Sequence, residues 1–184
     1  MLPLGTTMPA FSLPDMTGAT VSSETFAGRP LLVAFICHHC PFVRHIRREF
    51  ARVMADCQAR GAAVVAVNSN DVASFPEDGP GGMKQEAREA AYTFPYLYDE
   101  TQEVAKAFRA ACTPDLFLFD AHGALVYRGQ FDSSRPRSDV PVTGSDIRAA
   151  VAAVLEGRAV PREQKASLGC NIKWKPGNEP DYWT

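Results

Sequence analysis

Phe35-Ile36-Cys37-His38-His39-Cys40-Pro41-Phe42 is the stretch whose reading decides the fold. Ahead of it, Leu31 to Ile36 is an unbroken apolar run of strand length, the pattern of a strand buried on both faces. Behind it, Phe42, Val43, Ile46, Phe50, Val53, Met54 and Cys57 recur at helical spacing, with Arg44, Arg47, Arg48 and Arg52 on the other side. A Cys-x-x-Cys pair therefore stands where a buried strand ends and an amphipathic helix begins. The first amides of a helix have no intrahelical partner and its dipole favours negative charge there, so a thiolate is stabilised over the thiol. The spacing predicts both sulfurs on the first turn. Cys37 is expected at its mouth, as the more exposed and more acidic thiol that attacks another sulfur. Cys40 is expected to be enclosed and to resolve the mixed disulfide. Pro41 is tolerated because an amide of the first turn has no helical bond to lose.

His38 and His39 admit two readings. An imidazolium beside a thiolate lowers the thiol's pKa and makes the disulfide more oxidising. Alternatively Cys37, His38, His39 and Cys40 form half of a metal site, since thiolate and imidazole are both good zinc ligands. A structural zinc site needs a second ligand pair, and the chain has no second Cys-x-x-Cys and no His-x-x-x-His. Dithiol chemistry is the reading adopted, with no metal and no cofactor beyond an external thiol reductant.

At 184 residues, 46% of them hydrophobic, the chain is long enough for one domain with a proper core. A formal net charge of −2 points to no nucleic acid and no anionic membrane surface. No apolar run approaches the length needed to cross a bilayer. Met1-Leu2-Pro3-Leu4-Gly5 lacks the basic flank and apolar stretch of a secretory signal, so the expectation is a cytoplasmic protein. In that reducing setting five cysteines favour catalytic or sensing use over a structural disulfide framework.

Taken in order, Met8 to Phe26 reads as a short hairpin, with Phe11 and Leu13 alternating and Asp15-Met16-Thr17-Gly18 as the turn. Ala62 to Val67 is a second buried strand, completing a right-handed strand–helix–strand unit with the cysteines at the carboxyl end of its first strand. Asn68 to Gly82 reads as a polar loop, and Met83 to Tyr92 as a helix. Phe94 to Tyr98 is extended, and Asp99 with Gln102 resembles a capping box for a helix carrying Val104 and Phe108 inward. Leu116–Phe119 and Ala124–Tyr127 form a hairpin, and Thr143 and Asp146 are expected to cap a last helix ending at Gly157. Residues 1–157 are expected to form the domain. Residues 158–184, irregular but holding Cys170, Trp174, Tyr182 and Trp183, are expected to form a tail packed on it.

A strand, Cys-x-x-Cys, helix, strand, helix, then Thr113-Pro114 before a hairpin and a closing helix, resembles the thioredoxin superfamily over nearly the whole chain. The fold implied is an α/β thioredoxin-like one: a central mixed β-sheet flanked by helices, with an amino-terminal hairpin extension and an irregular carboxyl-terminal tail. Pro9-Ala10-Phe11-Ser12-Leu13-Pro14-Asp15 with Gly18, and Phe94-Pro95-Tyr96-Leu97-Tyr98-Asp99, are similar to the redoxin branch, the alkyl hydroperoxide reductase/thiol-specific antioxidant relatives. Cys112 to Phe119 and Gly169-Cys170-Asn171-Ile172-Lys173-Trp174-Lys175 resemble a bacterial subgroup described as thioredoxin-like or thiol-disulfide isomerase-like. The resemblance implies that Pro114 is a cis-proline facing the dithiol, with the Thr113 backbone presented to an extended substrate. The implied site is Cys37, Cys40, Thr113 and Pro114.

The departures bear on chemistry. Ile36 stands where thioredoxins have Trp, His-His replaces Gly-Pro, and Leu31 to Phe35 hold no counterpart of the buried carboxylate that thioredoxins keep below the dithiol. Against the Thr-x-x-Cys of peroxiredoxins, Cys37 takes the threonine position and Cys40 that of the peroxide-reacting cysteine, while Arg128 is the candidate for their conserved arginine. Cys57 reads as core, Cys112 as filler or a third redox sulfur, and Cys170 as a resolving or metal-binding thiol if the tail folds over the site. Three functions follow. The leading one is a thiol-disulfide oxidoreductase acting on protein or small-molecule disulfides. The second is a thiol-dependent peroxidase using Cys40, with peroxide as substrate, and the third a non-enzymatic redox-sensing or metal-binding module.

Overall fold

A computed structural model describes residues 1–182; Trp183 of the tail lies outside the described residues. The chain runs through β1 (Ser12–Pro14), β2 (Thr20–Ser22), β3 (Leu31–Phe35), α1 (Pro41–Ala59), β4 (Ala63–Asn68), α2 (Pro80–Ala90), β5 (Tyr96–Tyr98), α3 (Glu103–Phe108), β6 (Cys112–Thr113), β7 (Asp115–Phe119), β8 (Leu125–Gly129), α4 (Ser145–Leu155) and β9 (Cys170–Asn171). Single 3₁₀ turns sit at Ser23–Phe26 and Pro76–Asp78. The main sheet has the order β5-β4-β3-β7-β8. β3 is parallel to β4 and antiparallel to β7, so the sheet is mixed.

Two-residue alternation gives that sheet two cores. Leu32, Ala34 and Ile36 join the inward residues of α1 and α4, while Leu31, Val33 and Phe35 join α3, the β1–β2 hairpin and the tail. That is why β3 reads as continuously apolar: neither of its faces meets water. Phe108 of α3 anchors the second core, with ring centroids 5.5 Å from Phe35, 5.6 Å from Phe117 and 5.7 Å from Phe119.

Four local expectations are corrected. The segment from Asn68 to Gly82 is polar but partly inside: Asn68, Ser69, Asn70, Asp71 and Asp78 are all buried. Hydrogen bonds make this affordable, as when Asn68 donates its side-chain amide to the Asp78 carbonyl at 2.6 Å. The helix after it starts at Pro80, with proline at a first-turn position where its missing N–H costs nothing. Asp99 does cap α3, accepting from the Val104 and Ala105 amides at 3.4 and 2.9 Å, but Gln102 does not reciprocate. Its side chain instead donates to the Ser69 and Lys173 carbonyls and accepts from the Lys175 amide. At α4, Thr143 accepts from the Ser145 amide, while Asp132 rather than Asp146 takes the Thr143 and Gly144 amides.

The tail is part of the packed body. Ile172 and Trp174 are buried in the second core, and β9 pairs antiparallel with β6, Thr113 opposite Cys170. Gly169 makes that approach possible, because a Cβ there would lie 2.0 Å from the Thr113 carbonyl oxygen. Gly169→Ala is expected to cost about 1–3 kcal/mol through overpacking. Hydrogen exchange of the Ile172 amide, now bonded to the Ala111 carbonyl at 3.1 Å, should quicken at least tenfold while the β3 and β4 amides stay protected.

Candidate functional site

The dithiol turn hangs from β3 by backbone bonds. The Ile36 amide donates to the Val67 carbonyl at 3.0 Å, one residue past the end of the strand, and the buried Tyr96 hydroxyl donates to the Ile36 carbonyl at 3.1 Å. Cys37 follows. Cys40 is the N-cap residue of α1 and Pro41 its first residue, so the pair precedes the helix instead of riding on its first turn.

Both sulfurs are fully buried, which overturns the expectation of an exposed Cys37. Thr113 bridges them: its hydroxyl lies 3.4 Å from Cys37 Sγ, and its carbonyl accepts from Cys40 Sγ at 3.1 Å. The Thr113–Pro114 peptide bond is cis. The acidity is also reversed. A hydrogen bond from the Cys37 thiol, helped by Thr113 and by the Val43 and Cys170 amides facing the sulfur, holds Cys40 at about 4 against the opposing effect of burial. That same shared proton, then burial, then the Asp78 carboxylate drive Cys37 far above the ordinary thiol range. The helix mouth thus stabilises the second cysteine, because it is the second one that caps the helix. The contact to the Thr113 carbonyl is a hydrogen bond only while Cys40 keeps its proton, so ionisation must loosen it.

Each histidine has a buried carboxylate that the sequence reading missed. His38 turns its Nδ1 to Glu86 at 3.0 Å, and Glu86 also receives Arg47 at 2.5 Å and the Tyr92 hydroxyl at 3.0 Å. His38 is thereby committed to α2, away from the sulfurs. His39 gives both its backbone N–H and its ring Nδ1 to Asp78 and stacks on Phe75. Donor atoms of Cys37, His39 and Asp78 lie within 4.8 Å of one another. Asp78, delivered by the loop after β4, is a carboxylate beside the dithiol that does not come from β3. As a metal ligand it fits poorly: its oxygens already accept from His39 twice and from the Asn70 amide at 2.8 Å. The arrangement suits a proton relay better. The signal for Glu86 was its i, i+3 spacing from Met83 on the inward face of a helix. For Asp78 the only hint was that two histidines in a buried turn need acceptors.

Among the other expected residues, burial pushes the Cys57 thiol up to about 11 and that of Cys112 higher still, as suits inert core thiols. Arg128 lies on β8, two strands from β3. Cys170 packs against the core beside the dithiol and is half-buried. Asp115, next to Pro114, accepts from the Ala111 amide at 3.2 Å, and burial pushes its carboxyl up to about 6 from an ordinary 3.8.

Two measurements follow. Wild-type protein should show one thiolate equivalent in its 240 nm absorbance already at pH 6, where an ordinary thiol is protonated, and Cys40→Ser should remove it. For Asp115, the folded state prefers the neutral acid, so stability falls as pH rises from about 4 to about 6 and is level above. A gap of about two pH units, at 1.36 kcal/mol each, comes to about 3 kcal/mol. Asp115→Asn should therefore match wild type in denaturant melts near pH 4 and exceed it by up to that amount at pH 7.

The AhpC/TSA family model matches residues 4–128. A crystal structure of an uncharacterized conserved protein from Geobacillus kaustophilus is 52% identical, with a TM-score of 0.93, covering 96% of this chain and 95% of that one. A hypothetical protein from Sinorhizobium meliloti 1021 is 49% identical with a TM-score of 0.94, covering 96% and 97%. A secreted Mycobacterium tuberculosis disulfide oxidoreductase homologous to E. coli DsbE shares the fold at 17% identity and a TM-score of 0.61, over 78% and 95%. Among curated proteins none matches. No helix among the described residues is long and apolar enough to cross a membrane. With a thioredoxin-like sheet, a dithiol at the end of its central strand and a family match over most of its length, the chain belongs to the AhpC/TSA family, in the redoxin branch of the thioredoxin superfamily.

Proposed function

We propose that this protein is a thiol-disulfide oxidoreductase whose working pair is Cys37 and Cys40, with Thr113 and Pro114 completing the site. The observation that carries the reading is the pair itself: two buried sulfurs bridged by one threonine, with the hydrogen bond between them lowering Cys40 and raising Cys37. Roles follow from that asymmetry. The Cys40 thiolate attacks one sulfur of the incoming disulfide, whose S–S bond breaks and whose other sulfur leaves as a thiolate. Cys37 then gives its proton to a His39 ring nitrogen, oriented by Asp78, and attacks Cys40 Sγ. The mixed disulfide breaks and the second substrate sulfur departs. The substrate has gained two electrons, its thiols are protonated by the Cys37 proton and one from solvent, and the protein holds a Cys37–Cys40 disulfide for an external thiol to reduce.

A peroxidase reading has its own support. A thiolate at Cys40 is what peroxide attack requires, and the Thr113 hydroxyl supplies a polar group that the cysteine motif lacks. Arg128, however, lies on β8, two strands from β3. Reduction of insulin and of a small aromatic disulfide, run beside peroxide consumption, separates the two. Cys37→Ser and Cys40→Ser should each lower disulfide turnover at least a hundredfold. If Cys37→Ser keeps wild-type peroxide consumption with Cys40 found as sulfenic acid, the protein is a peroxidase.

A further inference from the structure

Resting on the dithiol reading, we propose that Cys170 is a third redox cysteine, which carries the disulfide from the buried pair to the surface. Neither Cys37 nor Cys40 exposes any surface, so an external thiol cannot reach a bridge between them in this conformation. Exchange needs an in-line approach to a sulfur, so a sealed sulfur reacts only when the site opens to admit a partner. Cys170 is the half-buried cysteine of the cluster.

Its placement is built. β9 pairs with β6 so that Cys170 stands directly across from Thr113, the residue whose carbonyl receives Cys40 Sγ. Gly169 permits the close approach, since any Cβ there would strike the Thr113 carbonyl. On the far side the strand is held by Ile172 in the core and by Lys173, whose N–H donates to Asn70 Oδ1 at 2.9 Å. The same Asn70 donates to Asp78, so one amide ties the tail to the carboxylate beside Cys37. Cys170 and Cys40 also perturb each other: burial first, then the neighbouring Cys40, pushes the Cys170 thiol up to about 11, and a Cys37–Cys40 disulfide removes the part that comes from the Cys40 thiolate. The strand fills the backbone edge beside Pro114, where an extended substrate would otherwise pair, so the external partner meets Cys170 first.

The step is an exchange with no net redox change. The Cys170 thiolate attacks Cys40 Sγ of the Cys37–Cys40 disulfide, the Cys37–Cys40 bond breaks, and a Cys40–Cys170 bond forms. Cys37 leaves as the thiolate and takes the proton that Cys170 lost. An external thiol then attacks Cys170 Sγ of the half-exposed bridge and Cys40 leaves as its thiolate; a second external thiol attacks the resulting mixed disulfide, releasing Cys170 as a thiol and the two reductant sulfurs as their disulfide.

The test uses the full chain, reduced and treated with one equivalent of diamide, then acid-quenched, alkylated and mapped by mass spectrometry. Wild type is expected to yield both Cys37–Cys40 and Cys40–Cys170 peptides. Cys37→Ser is expected to form Cys40–Cys170 nearly quantitatively under native conditions. In stopped-flow reduction of the oxidised protein by glutathione, Cys170→Ser is expected to be at least tenfold slower than wild type. The proposal is overturned if Cys37→Ser bridges Cys40 to Cys170 only after unfolding in urea, or if oxidised Cys170→Ser is reduced at the wild-type rate. Failure of the underlying dithiol reading looks different: no Cys37–Cys40 bridge forms in any variant.

Discussion

Thr113 is the residue on which the site depends. Its hydroxyl meets Cys37, its carbonyl meets Cys40, its backbone pairs with the tail strand at Cys170, and its peptide bond to Pro114 is cis. Two separate chain segments, the cysteine turn and the tail, thus converge on one residue, and both are far from it in sequence. A residue bonded on so many sides couples what happens at each. When Cys40 loses its proton, its hydrogen bond to the Thr113 carbonyl goes with it, and the strand paired to Thr113 feels the change.

Burial of the dithiol sets the chemistry that remains. Neither sulfur exposes any surface in this conformation. The site answers with a polar interior: Asp78 and Glu86, fully buried, are each paired with a histidine of the cysteine turn, and Glu86 is further neutralised by Arg47. Buried carboxylates of this kind are tolerable only when every oxygen has a donor, and both satisfy that demand. Removing one partner would leave the other stranded, so the network acts as a unit in positioning the turn.

The two histidines of the cysteine turn are tied to different carboxylates. His38 is tied to α2 through Glu86, holding the turn against the helix beside it. His39, on Asp78, is the one whose ring shares the neighbourhood of Cys37. Gly82 lets this packing close, since a Cβ there would overlap the Glu77 carbonyl.

The sheet and the placement of the cysteines at the end of β3 were legible in the chain because each has a local cause, whereas the cis-proline loop was legible only through resemblance to a known family. A strand buried on both faces must be continuously apolar, an amphipathic helix must repeat every three to four residues, and a strand–helix junction is where unbonded amides gather. The location of the acidic thiol was not legible, since one residue of difference in where α1 starts moves the cap from one sulfur toward the other. Nor were Asp78, Glu86, Gln102 and Asn70, whose polar side chains look in sequence like ordinary solvent-facing ones. Polar residues carry no periodicity that tells an inward from an outward direction; only the fold, by bringing unpaired donors from distant segments to the same place, decides which of them are buried. The closing of the tail over the site was the same kind of fact. Gly169, Cys170 and Ile172 are small or apolar residues in an irregular stretch, and it is the free backbone edge of Cys112–Thr113, sixty residues away in the chain by rough count, that makes them a strand.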